Sequence, residues 1–284
     1  KFSESRRLIA NQIRSMSKAI ESISKELESN IILDLEKEKD IHDQLERSSI
    51  SVDKVRYTTK GEDDFEITLE KKTCNSGCMC EEKLLDAASD IMGESLSIQK
   101  FGCRSLGGRC KVVLTKSQNY KVITDMASMS KDGHILCGDN YTHMEISDSK
   151  YMVAISDGMG KGEKAYEESS ITIDILEKMM DAKIEDEIII NTINNMLLLK
   201  SSDEMFSTLD LGIIDLKKGI LETIKMGACS TYIKRDKEDI DLVSSSSLPV
   251  GILSDIKLDR KTVKIKDGDY IIMVSDGILD AGKN

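Results

Sequence analysis

The stretch GDNYTHMEISDSKYMVAISDGMGKG, residues 138–162, decides how this chain is read. YMVAIS (151–156) is a short apolar run that stops at Asp157 and Gly158, which predicts a buried strand closed by a glycine turn. Asp139 stands before the adjacent strand, eighteen positions ahead of Asp157, a spacing that suits a hairpin returning alongside it. Two carboxylates are thereby expected at one end of an antiparallel pair.

Toward the C-terminus the spacing predicts helices over Glu163–Met180 and Glu185–Leu199, then strands at FSTLDLGIID (206–215), GILETIKMG (219–227), STYIKR (230–235) and YIIMVS (270–275). Short turns such as DLKKG (215–219), rather than helical crossovers, join these strands, so the sheets are expected to be antiparallel and the class α+β.

A second turn repeats the design of the first. MVSDGILDA (273–281) puts Asp276 and Gly277 after an apolar strand, as Asp157 and Gly158 follow theirs. A carboxylate at a strand end is held by a rigid sheet, and the following glycine is expected to let the chain turn sharply, so that its carbonyl faces the same point. Magnesium or manganese takes such oxygens together with several waters. A single Asp-Gly pair is the commonest kind of turn and most copies bind nothing. Two copies, with Asp139 nearby, make Asp139, Asp157, Gly158 and Asp276 the candidate metal ligands.

Toward the N-terminus there is neither glycine nor proline before Gly61, and Ile9, Ile13, Met16, Ile20, Ile23 and Leu27 recur at steps of four and three. This predicts a long helix over 1–48 with one apolar seam, which wants a partner helix, a second copy or a groove on its own domain. After Leu27 the seam shifts to Ile31 and Leu35, a step that would unwind a coiled coil locally. From Ser51 the pattern is that of a small α/β module: strands KVRYTT (54–59) and DFEITLEK (64–71), a helix over Glu81–Met92, then KVVLTK (111–116) and YKVITDMASM (120–129). The turn KDGH (131–134) marks the expected boundary, giving a regulatory region 1–130 and a second domain 131–284.

The 284 residues carry a formal charge of -11, which argues against nonspecific binding to nucleic acid or anionic lipid. No stretch approaches the roughly 20 apolar residues of a membrane-spanning helix, and the start lacks the apolar block of a signal peptide. Seven cysteines, an odd number, fit a reducing cytosol. Five of them, Cys74, Cys78, Cys80, Cys103 and Cys110, cluster in one segment. They could serve a thiolate zinc site, but the paired C-x2-C repeats of such sites are missing, and reduced, half-buried thiols are the plainer reading.

The segments GDNYTHMEISDSKYMVAISDGMGKGEKA, SSDEMFSTLDLGIIDL, SSSLPVGI and DGDYIIMVSDGILDA together resemble the metal-dependent phosphatase family (type 2C, PPM), over about Gly138 to Ala281. Within it the chain is most similar to a sporulation branch that also places a long helix and an α/β module before the catalytic part. The resemblance implies an α-β-β-α sandwich of two antiparallel sheets flanked by helices, with two Mn2+ or Mg2+ ions at one edge. It implies that Asp157 bridges the ions, that the Gly158 carbonyl binds one and Asp276 the other, and that Asp139 binds directly or through water. Two such ions, about 3.5 to 4 Å apart, would activate a water for in-line attack on phosphoserine or phosphothreonine. Met159 stands where many relatives carry a histidine, which leaves leaving-group protonation unassigned. The family's final Asp-Asp motif would lie beyond Asn284, so this chain is expected to bind metal weakly or incompletely.

By the same resemblance the helices at 163–199 sit over the metal site as a switch. The substrate implied is a phosphorylated anti-anti-sigma protein whose dephosphorylation releases a sporulation sigma factor, and the parent protein is expected to be cytoplasmic here and membrane-anchored by segments elsewhere. A scaffold reading, in which the front helix assembles a homodimer or meets division proteins, and a stress-response phosphatase of the same family are the alternatives. The three aspartates separate them, because a pure scaffold has no use for carboxylates gathered at strand ends.

Overall fold

The computed structural model describes residues 2–28, 32–59, 65–72, 79–105, 109–130, 136–147, 149–160, 162–200, 206–235 and 239–281. The chain divides into two units, one made of residues 1–27 and 120–284, the other of residues 28–119.

The smaller unit opens with β1 (Ile32–Leu33) and α2 (Leu35–Arg47), followed by β2 (Lys54–Thr59), β3 (Phe65–Lys72), α3 (Met79–Met92), β4 (Leu96–Ser105) and β5 (Arg109–Lys116). The strands form one antiparallel sheet in the order β1-β2-β3-β5-β4. Alternation decides which side is covered: Val55 and Tyr57 of β2 are buried while Lys54 and Arg56 are exposed. They pack with Ile67, Leu69, Val112 and Leu114 against Ile41 and Leu45 of α2 and Leu84 and Ala88 of α3.

The larger unit contains α1 (Phe2–Glu28), β6 (Asp139–Ser147), β7 (Lys150–Asp157), α4 (Glu163–Asp181), α5 (Asp186–Lys200), β8 (Leu209–Asp215) and β9 (Ile220–Met226). It continues with β10 (Thr231–Lys234), β11 (Ile240–Val243), β12 (Arg260–Lys264), β13 (Tyr270–Ile272) and α6 (Asp276–Asp280). Two antiparallel sheets result, β12-β9-β8-β7-β6 and β11-β10-β13. One core lies between the five-stranded sheet and the α4–α5 pair, with Met152, Leu211 and Ile224 meeting Leu176, Ile189 and Ile193. Another lies between the sheets, where Ile214 and Leu221 meet Ile233 and Val243. At about 1.5–3 kcal/mol for each large apolar side chain removed from water, these two layers hold the sandwich together.

Two expectations are corrected, and one of the alternatives left open for α1 is removed. The helix predicted over 1–48 is interrupted: Leu33 pairs with Thr58 in a sheet, and Asp34 starts a new helix by accepting the Lys37 amide on its side chain. The strand expected at YKVITDMASM is absent, since residues 120–129 carry no ladder, and only Tyr120 and Val122 reach a core while Ile123 is 90% exposed. The apolar seam of α1 does not pack on its own domain. Ile9, Ile13, Met16 and Ile20 are all more than half exposed, while Ser15 and Ala19 on another face are the residues that pack inward. The turn at 131–134 and the side chains of Cys74, Cys78, Cys80 and Cys103 lie outside the described residues; Cys110 is buried on β5.

Candidate metal centre

β6 and β7 are neighbours in the five-stranded sheet, and their register sets Asp139 directly opposite Asp157 at the end of the ladder. Asp157 is fixed by its backbone: its N–H donates to the Thr208 hydroxyl at 2.9 Å, and its carbonyl accepts the Thr208 N–H at 2.8 Å. Asp139 is fixed by its side chain, which accepts a hydrogen bond from the Ser275 hydroxyl at 2.8 Å. Ser275 is the cap of α6 and Asp276 its first residue, so the contact that orients Asp139 also brings the next carboxylate in.

The Asp157 carboxyl is within hydrogen-bonding range of both Asp139 and Asp276. Burial, then the charge of Asp139, then that of Asp276 push its pKa up to about 8. A carboxyl so crowded by its own kind calls for a cation, and hard divalent ions take oxygen donors of this type. The residues therefore fit magnesium or manganese. Among the described residues no three His, Cys, Asp or Glu side chains surround a single point, so the aspartates form two pairs sharing Asp157 rather than a closed cage. Asp157 and Asp276 line a cavity of about 50 Å3 together with Thr208, Asp210, Cys229 and the Gly227–Ala228 backbone.

Both glycines differ from expectation. Neither Gly158 nor Gly277 has a positive φ, so neither is required for a sharp turn. Gly158 is needed for closeness instead, because a Cβ there would lie 1.9 Å from the Ala165 carbonyl oxygen of α4. Gly277 lies inside α6 and meets nothing closer than the Ser275 hydroxyl at 3.9 Å. Asp276 accordingly heads a short helix four residues past the end of β13 rather than ending the strand.

α4 is seated on this end of the sheet by polar contacts. Its Glu168, Ser169 and Thr172 are fully buried. The Glu168 carboxylate accepts the Met159 N–H at 3.0 Å, the Ser169 hydroxyl donates to the Gly138 carbonyl at 2.5 Å, and the Thr172 hydroxyl meets that of Ser207 at 2.9 Å. Ser207 in turn meets the Ser156 hydroxyl at 3.0 Å. Met159 is 54% exposed. A wider polar cleft of about 530 Å3 opens between α1 and α5, where Arg14, Ser15, Glu187 and Asn195 are among its walls, but it gathers none of the candidate ligands.

Sequence reasoning did not single out Glu168, Thr208, Asp210, Lys225 or Cys229. The Ser-Thr pair before the LDLGIID strand was the available signal for Thr208; a lysine within an apolar strand was the signal for Lys225.

Two family models match the chain: stage II sporulation protein E over residues 147–284, and the regulatory domain of that protein over residues 1–117. Among curated proteins it is 32% identical over 282 residues to stage II sporulation protein E of Priestia megaterium, covering 99% of this chain and 48% of that protein. It is 34% identical to the Bacillus subtilis protein of that name, covering all of this chain and 34% of that protein. The chain thus spans half or less of the length of these curated relatives. Among solved structures, the PP2C phosphatase domain with a fragment of the regulatory domain of the Bacillus subtilis protein is 33% identical, with a TM-score of 0.71 over 100% of this chain and 83% of that one.

Proposed function

The chain belongs to the stage II sporulation protein E family, and on that premise we propose that it is the working part of a metal-dependent serine/threonine protein phosphatase. In this reading residues 131–284 form the phosphatase domain and 1–130 the regulatory region. The observation that supports it is that Asp157 lies between two further carboxylates, Asp139 across the β6–β7 ladder and Asp276 at the head of α6, and that the charges which shift it are those two. Asp157, in reach of both neighbours, would be the shared ligand of a pair of Mn2+ or Mg2+ ions, with Asp276, Asp139 and the Gly158 carbonyl completing the protein's contribution. Bound divalent ions supply an acidified water and charge neutralisation for in-line displacement at phosphorus.

The chain's own residues prepare that chemistry. Thr208 locks the Asp157 backbone from both sides, Ser275 aims Asp139, and the buried Glu168 holds the Met159 amide next to Gly158. Holding acceptors still before a cation arrives removes the cost of ordering them afterwards.

The substrate we propose is a phosphorylated anti-anti-sigma protein, so that dephosphorylation frees a sporulation sigma factor; membrane anchoring through other segments and contact with division proteins belong to the same reading. Self-association through α1 is favoured by the outward-facing row Ile9, Ile13, Met16 and Ile20. The test is Mn2+-dependent phosphate release from a phosphoserine protein by this chain and by a version continued through an Asp-Asp strand of the family type. Activity in the continued version, abolished by Asp157→Asn, is the expected result; inactivity of both with metal bound would refute the phosphatase reading.

A further inference from the structure

Beside the three aspartates lies a charged pair that the proposed reaction does not use. Lys225 on β9 stands opposite Asp210 on β8, and both are almost wholly buried. All three ammonium protons of Lys225 are taken: by Asp210 Oδ2 at 2.6 Å, the Cys229 carbonyl at 2.7 Å and the Thr231 hydroxyl at 2.7 Å. The Thr231 hydroxyl donates to the same Asp210 Oδ2 at 2.9 Å. Asp210 Oδ1 receives nothing and is one of the few buried side-chain oxygens without a partner among the described residues.

Strand pairing does not explain this arrangement. Two buried charges lose their hydration, and apolar side chains of similar size would hold β8 to β9 at least as well. The unpaired oxygen is a further cost that a purely structural pair would not retain. Its location supplies the reason. Asp210 lines the same cavity of about 50 Å3 as Asp157 and Asp276. A water needs about 10–15 Å3 of such space and two to four polar partners, so the cavity has room for at least one. Paired with Lys225, Asp210 adds an acceptor to the cavity without adding net charge to the carboxylates already crowding Asp157.

We propose that Asp210 is a positioning residue of the metal centre: its Oδ1 accepts a hydrogen bond from an ordered water in this cavity, which links it to the Asp157 and Asp276 carboxyls, and Lys225 keeps Asp210 charged and aimed. Lys225 has no free proton for a substrate and acts only through Asp210. The inference rests on the metal-centre reading above.

The experiment compares this chain with the double variant Asp210→Leu/Lys225→Met, which removes both charges together. Mn2+ binding is followed by calorimetry and by the relaxation of water protons around the bound ion, and folding by urea unfolding in EDTA. The expected result is unfolding at or above the parent's midpoint, with Mn2+ affinity lowered about 10- to 100-fold, the range for loss of an outer partner of a ligand, and an altered relaxation enhancement. Affinity within twofold of the parent, with unchanged relaxation, would show the pair to be structural only. Should the double variant not fold, a crystal structure of the unaltered chain decides: a water within about 3.2 Å of Asp210 Oδ1 supports the inference, and a dry oxygen overturns it. A parent whose Mn2+ titration is absent, or is untouched by Asp157→Asn, would bring down the metal-centre reading itself; a parent that binds through Asp157 while the double variant binds equally well overturns only the role of Asp210.

Discussion

A methyl group on Gly158 would sit 1.9 Å from the carbonyl oxygen of Ala165, so α4 rests directly on the backbone next to Asp157. Gly158→Ala therefore drives α4 off its seat. Because the obstacle is main chain rather than a flexible side chain, the cost falls at or above the upper end of the usual 1–3 kcal/mol for overpacking. Gly277→Ala, inside a helix with open space around it, is neutral or raises stability by up to about 1 kcal/mol. Urea midpoints of the two variants check the contrast, and equal midpoints would contradict it.

Stability in the absence of metal falls as pH rises. Asp157 has an ordinary pKa of 3.8 when unfolded and about 8 when folded. The folded state holds its proton more tightly, so this group's contribution is fully present below about 4, is lost progressively up to about 8, and is level above that. Asp157→Asn removes this slope. The check is a pair of urea titrations in EDTA at pH 6 and pH 9, for the parent and the variant; parallel behaviour of the two proteins would show that Asp157 carries no such linkage.

Cation uptake displaces that proton. Mn2+ affinity should rise with pH until about 8, and binding near pH 7 should release about one proton, read by calorimetry in two buffers of different ionisation enthalpy. Proton release that persists in Asp157→Asn would place the titrating group elsewhere.

Ile13 and Ile20 are 62% and 66% exposed. Replacing both with Glu should leave unfolding of the chain within about 0.5 kcal/mol of the parent for each substitution, while lowering the mass seen by light scattering if α1 joins copies. An unchanged mass removes this helix from any self-association.

The hairpin that pairs Asp139 with Asp157 was legible because apolar runs, a turn and an eighteen-residue spacing all specify one register. The helix pair was legible from periodicity: Ala165, Glu168, Ser169, Thr172, Ile173, Leu176 and Met180 bury one stripe of α4. That same stripe shows the limit, since three of its members are polar and only their partners across the fold reveal why they are inside. Lys225 illustrates it further. Nothing local separates a buried lysine from an exposed one; the β8–β9 register, fixed by the sheet as a whole, puts Asp210 opposite it. YKVITDMASM misled for the converse reason, as its alternation satisfied a strand pattern while no neighbouring strand offered a ladder. The row on α1 was read correctly as a seam, but the direction a seam faces depends on what it is offered, and Ser15 turns to Asn195 of α5 instead.

The bonds from Thr172 through Ser207 to Ser156, with Ser169 on Gly138, give α4 a seat whose strength varies abruptly with position. Greasy surfaces can slide and lose contact by degrees, whereas a hydrogen bond is gone once its atoms separate past about 3.5 Å. α4 combines both kinds of contact, polar at its first turns and apolar further along. Displacing its first turns past that distance would break these bonds and release Gly158, Met159 and the end of β7, while Ile173, Leu176 and Met180 still hold the rest of the helix on the sheet.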